Sequence, residues 1–472
     1  MKWMTDRYLR SLKVVAFIAV VMIGPHNASA AGLPAASAVD LENISVLDLQ
    51  TAARIALTGN PTLDVAQARV DQAREAIAQS RSAYWPRLDL TVSGSRVALS
   101  DNALQYQESV ARALYGPSAG VDDPEAYFSA GLTASWVLFD GFARKFNLAA
   151  AGHGYASAAA AREDTRRLLL QAVTEAFLSA QLSLENIAIA NADESFNQRL
   201  LTEANLRYEV GTGALSDVLN FEVKANSAKA ERIVAEKNYQ TARIGLAALL
   251  GVRQARLPQS IRLAELAPVT AAELESPAVD RLIKGAYGLR PDIQQTEWLV
   301  QQAEADAQAK RAAYFPTISL SASYNGERTD DPGFEGDDFG NTIGVNLTYN
   351  LFSGGLSQAQ YQQAKARLRE AEKVRQSAKI NVTSEVRTAV ERLLSAQKQL
   401  LLQRDNARLV KQNRDLVEKE YKAGVGSLVR LNEAQRDLTR ATVGLAVARV
   451  ALRQARYDLK SVSGEIPKAF GF

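Results

Sequence analysis

The sequence contains no cysteine, which removes disulfides, thiolate metal sites, a catalytic thiol and a cysteine-borne lipid anchor from consideration. Histidine is nearly as scarce, with only His26 and His153 among 472 residues. The usual zinc ligand set is therefore missing, and His153 reads as a polar residue in the first turns of a long helix. No stretch approaches the roughly twenty consecutive apolar residues that a spanning helix needs. Val14 to Ile23 is a run of about ten; it follows Lys2, Arg7, Arg10 and Lys13 and precedes Ala28-Ser29-Ala30. That order is the order of a secretory signal peptide with a small-residue cleavage site. Residues 1–30 are expected to be removed, giving an exported chain that starts at Ala31.

The exported chain also lacks net charge. Its first thirty residues hold four basic residues and one acid, Asp6, so the 55 basic and 52 acidic residues of the whole become 51 and 51. Without basic blocks, nucleic acid is not expected as a partner. The carboxylates are scattered over helix surfaces, so neither a cofactor site nor an enzyme, such as a carboxylate-based hydrolase, is indicated.

Proline is missing from two long stretches, and these organise the chain. One runs from Leu138-Phe139-Asp140-Gly141 to Tyr208-Glu209-Val210-Gly211-Thr212-Gly213, the other from Leu351-Phe352-Ser353-Gly354 to Tyr421-Lys422-Ala423-Gly424-Val425-Gly426. Both are rich in strong helix formers. Each predicts one continuous helix, 144–209 and 357–422, on the order of 100 Å long at 1.5 Å per residue. In the second, Ala364, Leu368, Ala371, Val374, Ala378, Val382, Val386, Ala389, Leu393, Ala396 and Leu400 form a stripe. Its 3.6-residue period favours a nearly straight rod over a tight supercoil. The glycines after each helix suit a tight reversal, and shorter helices, 214–250 and 428–463, fold back along the long ones.

Before each long helix the period changes to two. Leu88, Leu90 and Val92 alternate with polar residues, and Phe128, Ala130, Leu132, Ala134, Trp136 and Leu138 share one apolar face. Strands are expected at 87–99 and 127–139, then at 317–325 and 341–352. The apolar face of 127–139 is longer than a soluble strand of five or six residues needs and suits lipid contact. A turn-rich stretch, about 100–125, separates the first two strands. The plan therefore occurs twice, in residues 31–251 and 292–463, around a proline-rich linker at 252–291 and ahead of a tail at 464–472. Four membrane-type strands cannot close a barrel, because open edges in lipid leave backbone groups unpaired. The chain must associate, and an open duct favours at least three copies over two.

The duplicated helix-strand-strand-helix-helix plan, Tyr84-Trp85-Pro86 and Tyr314-Phe315-Pro316 at the strand entries, Leu-Phe-Asp-Gly and Leu-Phe-Ser-Gly-Gly at the exits, and the two glycine turns resemble the TolC family of outer-membrane exit ducts across residues 45–463. The resemblance implies a mainly α fold with a membrane β-barrel. Three duplicated protomers would give a twelve-strand β-barrel in the outer membrane of a Gram-negative bacterium, joined to a long periplasmic α-helical barrel that narrows at the glycine-turn tips. It further implies a homotrimer in contact with outer-membrane lipid, a periplasmic adaptor and an inner-membrane transporter, in tripartite efflux or type I secretion.

The residues implied for the gate lie at those tips: Tyr208, Gly211, Gly213 and Asp217 around the first turn, and Tyr421, Gly424, Gly426, Arg430 and Glu433 around the second. In the family, Asp217 and Tyr421 occupy positions whose polar contacts hold the helix pairs inward. This chain has Gly426 where the best-studied branch has a latch arginine, and Arg430 and Glu433 where it has two acids. Arg430 is the equivalent of Asp217, 213 residues on. Either the two pair between neighbouring hairpins and replace the latch, or both are solvated charges. The acidic segment 327–338, with Asp330, Asp331, Glu335, Asp337 and Asp338, is either a soluble external loop or a calcium site. A soluble periplasmic coiled-coil tether is the rival to a duct; the paired alternating strands, with Trp136 and Tyr349 near their ends, argue against it.

Overall fold

A computed structural model describes residues 44–471; the expected signal peptide lies outside them. In chain order the elements are β1 (Val46–Leu47), α1 (Leu49–Gly59), α2 (Pro61–Ser82), β2 (Arg87–Val97), α3 (Asp101–Tyr115), β3 (Glu125–Phe139), α4 (Ala143–Glu209), α5 (Leu215–Leu249), β4 (Arg262–Leu263), α6 (Val279–Leu289), α7 (Pro291–Arg311), β5 (Thr317–Thr329), β6 (Phe339–Thr348), α8 (Leu356–Lys422) and α9 (Leu428–Val462). The long helices α4 and α8 have 67 residues each, and the returning helices α5 and α9 have 35 each. From Ala143 to Leu356 and from Glu209 to Lys422 the displacement is 213 residues. Among the described residues no helix is long and apolar enough to cross a membrane.

The described residues fall into two units: 74–153 with 301–369, and 44–73 with 154–300 and 370–471. The first contains an antiparallel sheet in the order β2-β3-β5-β6. Its register stacks like upon like. Leu90 lies opposite Leu132, Leu132 opposite Tyr324, Trp136 opposite Leu320, and Leu320 opposite Val345. Since residues on a strand alternate between faces, one face carries these apolar side chains. The other carries Thr91, Ser93, Ser129, Thr133, Ser321, Ser323 and their neighbours. Ser93 and Ser129 hydrogen bond across it at 2.7 Å.

Arg144 secures the exit of β3. Its guanidinium donates to the carbonyls of Ala83, Val137 and Leu138 at 3.2, 2.6 and 3.1 Å, and its Nε to Asp140 at 3.1 Å, with the ring of Tyr84 beneath it at 5.0 Å. Carbonyls left over where a strand ends thus acquire a charged donor. Gly141 has φ 64°, and a Cβ there would lie 2.6 Å from the Ala312 carbonyl oxygen. Glycine is required on both counts.

Two parts of this unit depart from the sequence reading. Within the turn-rich stretch, Asp101–Tyr115 is a helix that stops at Gly116, φ 106°. Tyr106, Val110 and Leu114 keep helical spacing there, and Arg112 pairs with Glu108 at 2.9 Å; the flanking Pro117 and Pro124 mark only its far side. The acidic segment encloses a cation of its own. Arg328 lies 3.6 Å from Asp331, 3.5 Å from Glu335 and 3.2 Å from Asp338. The carboxylates of this segment face Arg328, and no three ligating side chains converge on a metal site among the described residues.

The second unit has its core where the short β1 and β4 pair in parallel against α1, α4 and α5. Leu47, Ile55, Val173, Phe177, Leu246 and Leu250 are buried together. Asp48 caps α1 by accepting from the Thr51 amide at 2.7 Å, and Asn60 donates to the Leu249 carbonyl at 2.7 Å. On α8 the apolar stripe is buried from Val382 to Leu400, where α9 and residues 269–283 pack on it, whereas Val374 is half exposed.

At the C-terminus of α9, two buried arginines satisfy carbonyls that have no partner within the helix. Arg167, on α4, donates to the Ser461 carbonyl and hydroxyl at 3.4 and 3.2 Å and pairs with Asp164 at 2.8 Å. Arg290, between α6 and α7, donates to the Val462 carbonyl at 3.3 Å, grips both oxygens of Asp292 at 3.0 and 2.7 Å, and pairs with Glu385 of α8. Burial alone would raise the Asp292 pKa; the hydrogen bonds and charge of Arg290, with the charge of Arg167, hold it below the ordinary carboxylate value.

Arg290→Ala is expected to destabilise the fold by about 1.5–3 kcal/mol, because it removes charge-assisted hydrogen bonds from the partly buried Asp292 carboxylate; the midpoint of chemical denaturation measures this. Asp292 has the lower pKa in the folded state. Its stabilisation is thus complete above the ordinary carboxylate range near 4 and is lost as pH falls through the depressed value. In a denaturation series from pH 7 to pH 3, Asp292→Asn should start less stable and lose less stability over the acid limb than the parent.

Candidate functional site at the glycine turns

Both reversals are built alike. Gly211 and Gly424 have φ 73° and 79°, the left-handed conformation that closes a helix. Two residues later, Gly213 and Gly426 donate their amides at 2.9 and 3.0 Å to the carbonyls of Arg207 and Glu420. A Cβ at Gly213 would meet the Arg207 Cβ at 2.9 Å, and one at Gly426 would meet the Tyr421 nitrogen at 2.8 Å. The first glycine of each pair supplies backbone freedom, and the second allows close approach to the helix just ended. An arginine at 426 has no room in this turn.

Behind the turns, α4, α5, α8 and α9 share one apolar cluster that includes Leu200, Val218, Phe221, Val417 and Leu431. Tyr421 covers it, edge-on to Phe221 at 6.4 Å. The Arg207 guanidinium lies 5.4 Å above the Tyr421 ring and pairs with Glu203 at 2.7 Å. Burial pushes the Tyr421 pKa up; Arg207 opposes this, while Asp217 and Glu203 add to it. One turn deeper, Glu418 receives Arg414 at 2.6 Å, Lys422 at 2.9 Å and, from α4, Arg199 at 3.2 Å. Burial opposes ionisation of Glu418, but the hydrogen bond from Lys422 and the charges of Arg199 and Arg414 hold its pKa below the usual value. Asn220 and Asn432 join α5 to α9 at 3.1 Å, and Asp193 accepts from Gln435 at 2.7 Å and Thr439 at 2.8 Å.

The named residues thus separate into four groups. Gly211, Gly213, Gly424 and Gly426 make the turns. Asp217 and Tyr421 are half-buried and close enough for the aspartate charge to act on the phenol. Tyr208 and Glu433 are exposed. Arg430 pairs with Glu420 at 3.2 Å rather than with Asp217. Sequence reading missed Arg207, Glu420, Arg199 and Glu418. A signal for the first two was available: the 213-residue displacement equates Arg207 with Glu420 and Asp217 with Arg430. Both positions reverse sign together; the second turn pairs them as Arg430 with Glu420, whereas in the first Arg207 pairs with Glu203.

Gly426→Ala is expected to cost about 1–3 kcal/mol, because the added methyl must displace backbone. Limited proteolysis should show faster cleavage between residues 422 and 428 than in the parent, whereas Gly336→Ala, where a Cβ meets nothing within 4 Å, should leave the cleavage rate unchanged.

Comparison with known proteins places this geometry. The family model described as outer membrane efflux protein matches residues 52–252 and 282–465. The outer membrane efflux protein BepC of Brucella suis is 26% identical over 381 residues, covering 80% of this chain and 81% of that protein. The outer membrane protein TolC of Vibrio cholerae is 24% identical over 439 residues, covering 89% and 91%. A crystal structure of a membrane protein from Pseudomonas aeruginosa shares the fold with a TM-score of 0.74 at 23% identity, over 88% of this chain and 93% of that one. The chain belongs to the outer membrane efflux protein family and is an outer-membrane exit duct.

Proposed function

We propose that three copies close their sheets into one twelve-strand barrel, that residues 31–251 and 292–463 are duplicated halves about the linker 252–291, and that the glycine-turn tips form a gate opened by a periplasmic adaptor and an inner-membrane transporter. One observation carries the barrel: four strands in register gather their apolar residues on one face and Ser, Thr, Asn and Gly on the other. Ile343, Val345 and Leu347 are 75, 68 and 61% exposed, an apolar surface that water disfavours and lipid accepts. Among the described residues β2 and β6 each pair on one side only. In lipid such edges need partners, and the β6 and β2 of neighbouring copies supply them. A water-filled interior then receives the hydroxyl-rich face.

The energetics of the tips suit a gate. Arg430 and Glu420 are 61 and 44% exposed, and such a pair contributes at most about 1 kcal/mol. The stacking of Arg207 on Tyr421 is worth about 0.5–2 kcal/mol. Contacts of this size keep the tips together at rest, yet an adaptor that binds the open form better shifts the equilibrium by its difference in affinity.

Val345→Arg, on the apolar face, should cost about 2–4 kcal/mol at mid-membrane depth and reduce heat-resistant oligomer in liposomes. Ser321→Arg, on the other face, should assemble normally. Equal effects of the two would reject the assignment of faces. For the gate, Arg207→Ala and Tyr421→Ala should each raise resting conductance in planar bilayers; parental conductance in both would rule out the clasp.

A further inference from the structure

A cavity of about 300 Å³ lies in the second unit between α4, α9 and residues 264–273. Arg453, Arg456, Tyr457 and Lys460 project into it from α9. Their i, i+3, i+4, i+7 spacing places them on one helical face, where like charges repel. Counter-charge is short. Glu273 is 2.9 Å from Arg456 and 3.7 Å from Arg453, and its second oxygen accepts from the Thr270 amide at 2.8 Å. Arg453 spends further donors on the carbonyls of Ala267 and Pro268. Glu265, the other acid at the cavity, is exposed. Among the described residues Lys460 has no ion pair; its ammonium lies 5.3 Å from the centre of the Tyr457 ring, which is itself stacked on Phe470 at 5.8 Å.

We infer that this cavity is a binding site for a small oxyanion, a phosphate or a carboxylate, held by Arg456 and Lys460 against Tyr457. Charges taken out of water need a partner, and here two guanidiniums share one carboxylate while the ammonium beside them has no ion pair and feels an acid, Glu465, only at longer range. Burial depresses the pKa values of Arg453, Arg456 and Lys460, and the neighbouring Arg449 and Arg456 add to the effect on Arg453 and Lys460 respectively. An anion relieves that strain and supplies acceptors. Guanidinium presents a planar fork suited to two oxygens, and ammonium presents a point charge. The cavity exceeds the size of one phosphate and admits a small polycarboxylate as well. Neither the pairing of the strands nor the glycine turns enter this inference.

The test is isothermal titration of the full-length, detergent-solubilised protein with inorganic phosphate and, separately, with citrate, at ionic strength matched by sodium chloride. Saturable binding near one anion per chain is expected for at least one probe, and the tighter of the two tells phosphate from carboxylate. Arg456→Gln and Lys460→Gln should each weaken it at least tenfold. Arg440→Gln, on the same helix but 77% exposed, should not. Thermal melting guards against a folding artefact: Lys460→Gln should be no less stable than the parent in chloride alone, yet lose the stabilisation the anion confers. No saturable binding of either probe, binding unchanged in both glutamine variants, or loss of stability by Lys460→Gln in chloride alone would each overturn the site.

Discussion

Within the second unit, the packing depends on how one helix end is satisfied. The last carbonyls of α9 are buried and need donors, and two arginines from distant parts of the chain supply them: Arg167 from α4, and Arg290 from the junction of α6 and α7. A buried arginine needs acids in turn, which brings in Asp164, Asp292 and, from α8, Glu385. One set of buried helix-end carbonyls thus ties together four elements separated by up to 294 residues. The helix stops cleanly there. Gly464, φ 77°, closes the turn, and a Cβ on it would lie 2.9 Å from that of Leu289, directly beside Arg290.

This knot and the glycine-turn tips lie at opposite ends of α9 and differ in kind. At the knot the guanidiniums are almost wholly buried and their partners fixed, so breaking one leaves an uncompensated charge. At the tips the same residue types meet water, where each pair is worth about 1 kcal/mol or less. Weak contacts at one end of the helix and strong ones at the other follow from burial alone. Local stability is therefore expected to fall along the helices toward the glycine turns.

The long helices, their ends and the strands were legible because each rests on a local signal: absence of proline, glycine at a reversal, alternation of period two. The tertiary partners were not. Arg290 reads in sequence only as punctuation before Pro291, and its burial depends on α8 and α9 arriving from far along the chain. The pairing of Val46–Leu47 with Arg262–Leu263 is two residues long and carries no periodic pattern to detect. The helix Asp101–Tyr115 was obscured by the prolines beyond it, although its own spacing is helical. At the site, the turns were visible, but the pairing of Arg430 with Glu420 was not, because a charge near a turn does not name its partner.

The two halves also separate what geometry fixes from what side chains fix. Asp140 and Arg144 are linked across the exit of β3, and at the equivalent positions Ser353 and Ser357 lie 3.3 Å apart. One pair is ionic and reaches three carbonyls; the other is two hydroxyls. Yet both stand at the start of helices of 67 residues. The two helices are thus equal in length, while each end solves its local hydrogen bonding in its own way. The tips obey the same rule. Arg207 and Asp217 exchange sign with Glu420 and Arg430, the turn geometry is unchanged, and only the first copy sends its arginine across to Tyr421. Where backbone geometry is shared and side-chain chemistry is not, the two turns differ in contacts before they differ in shape.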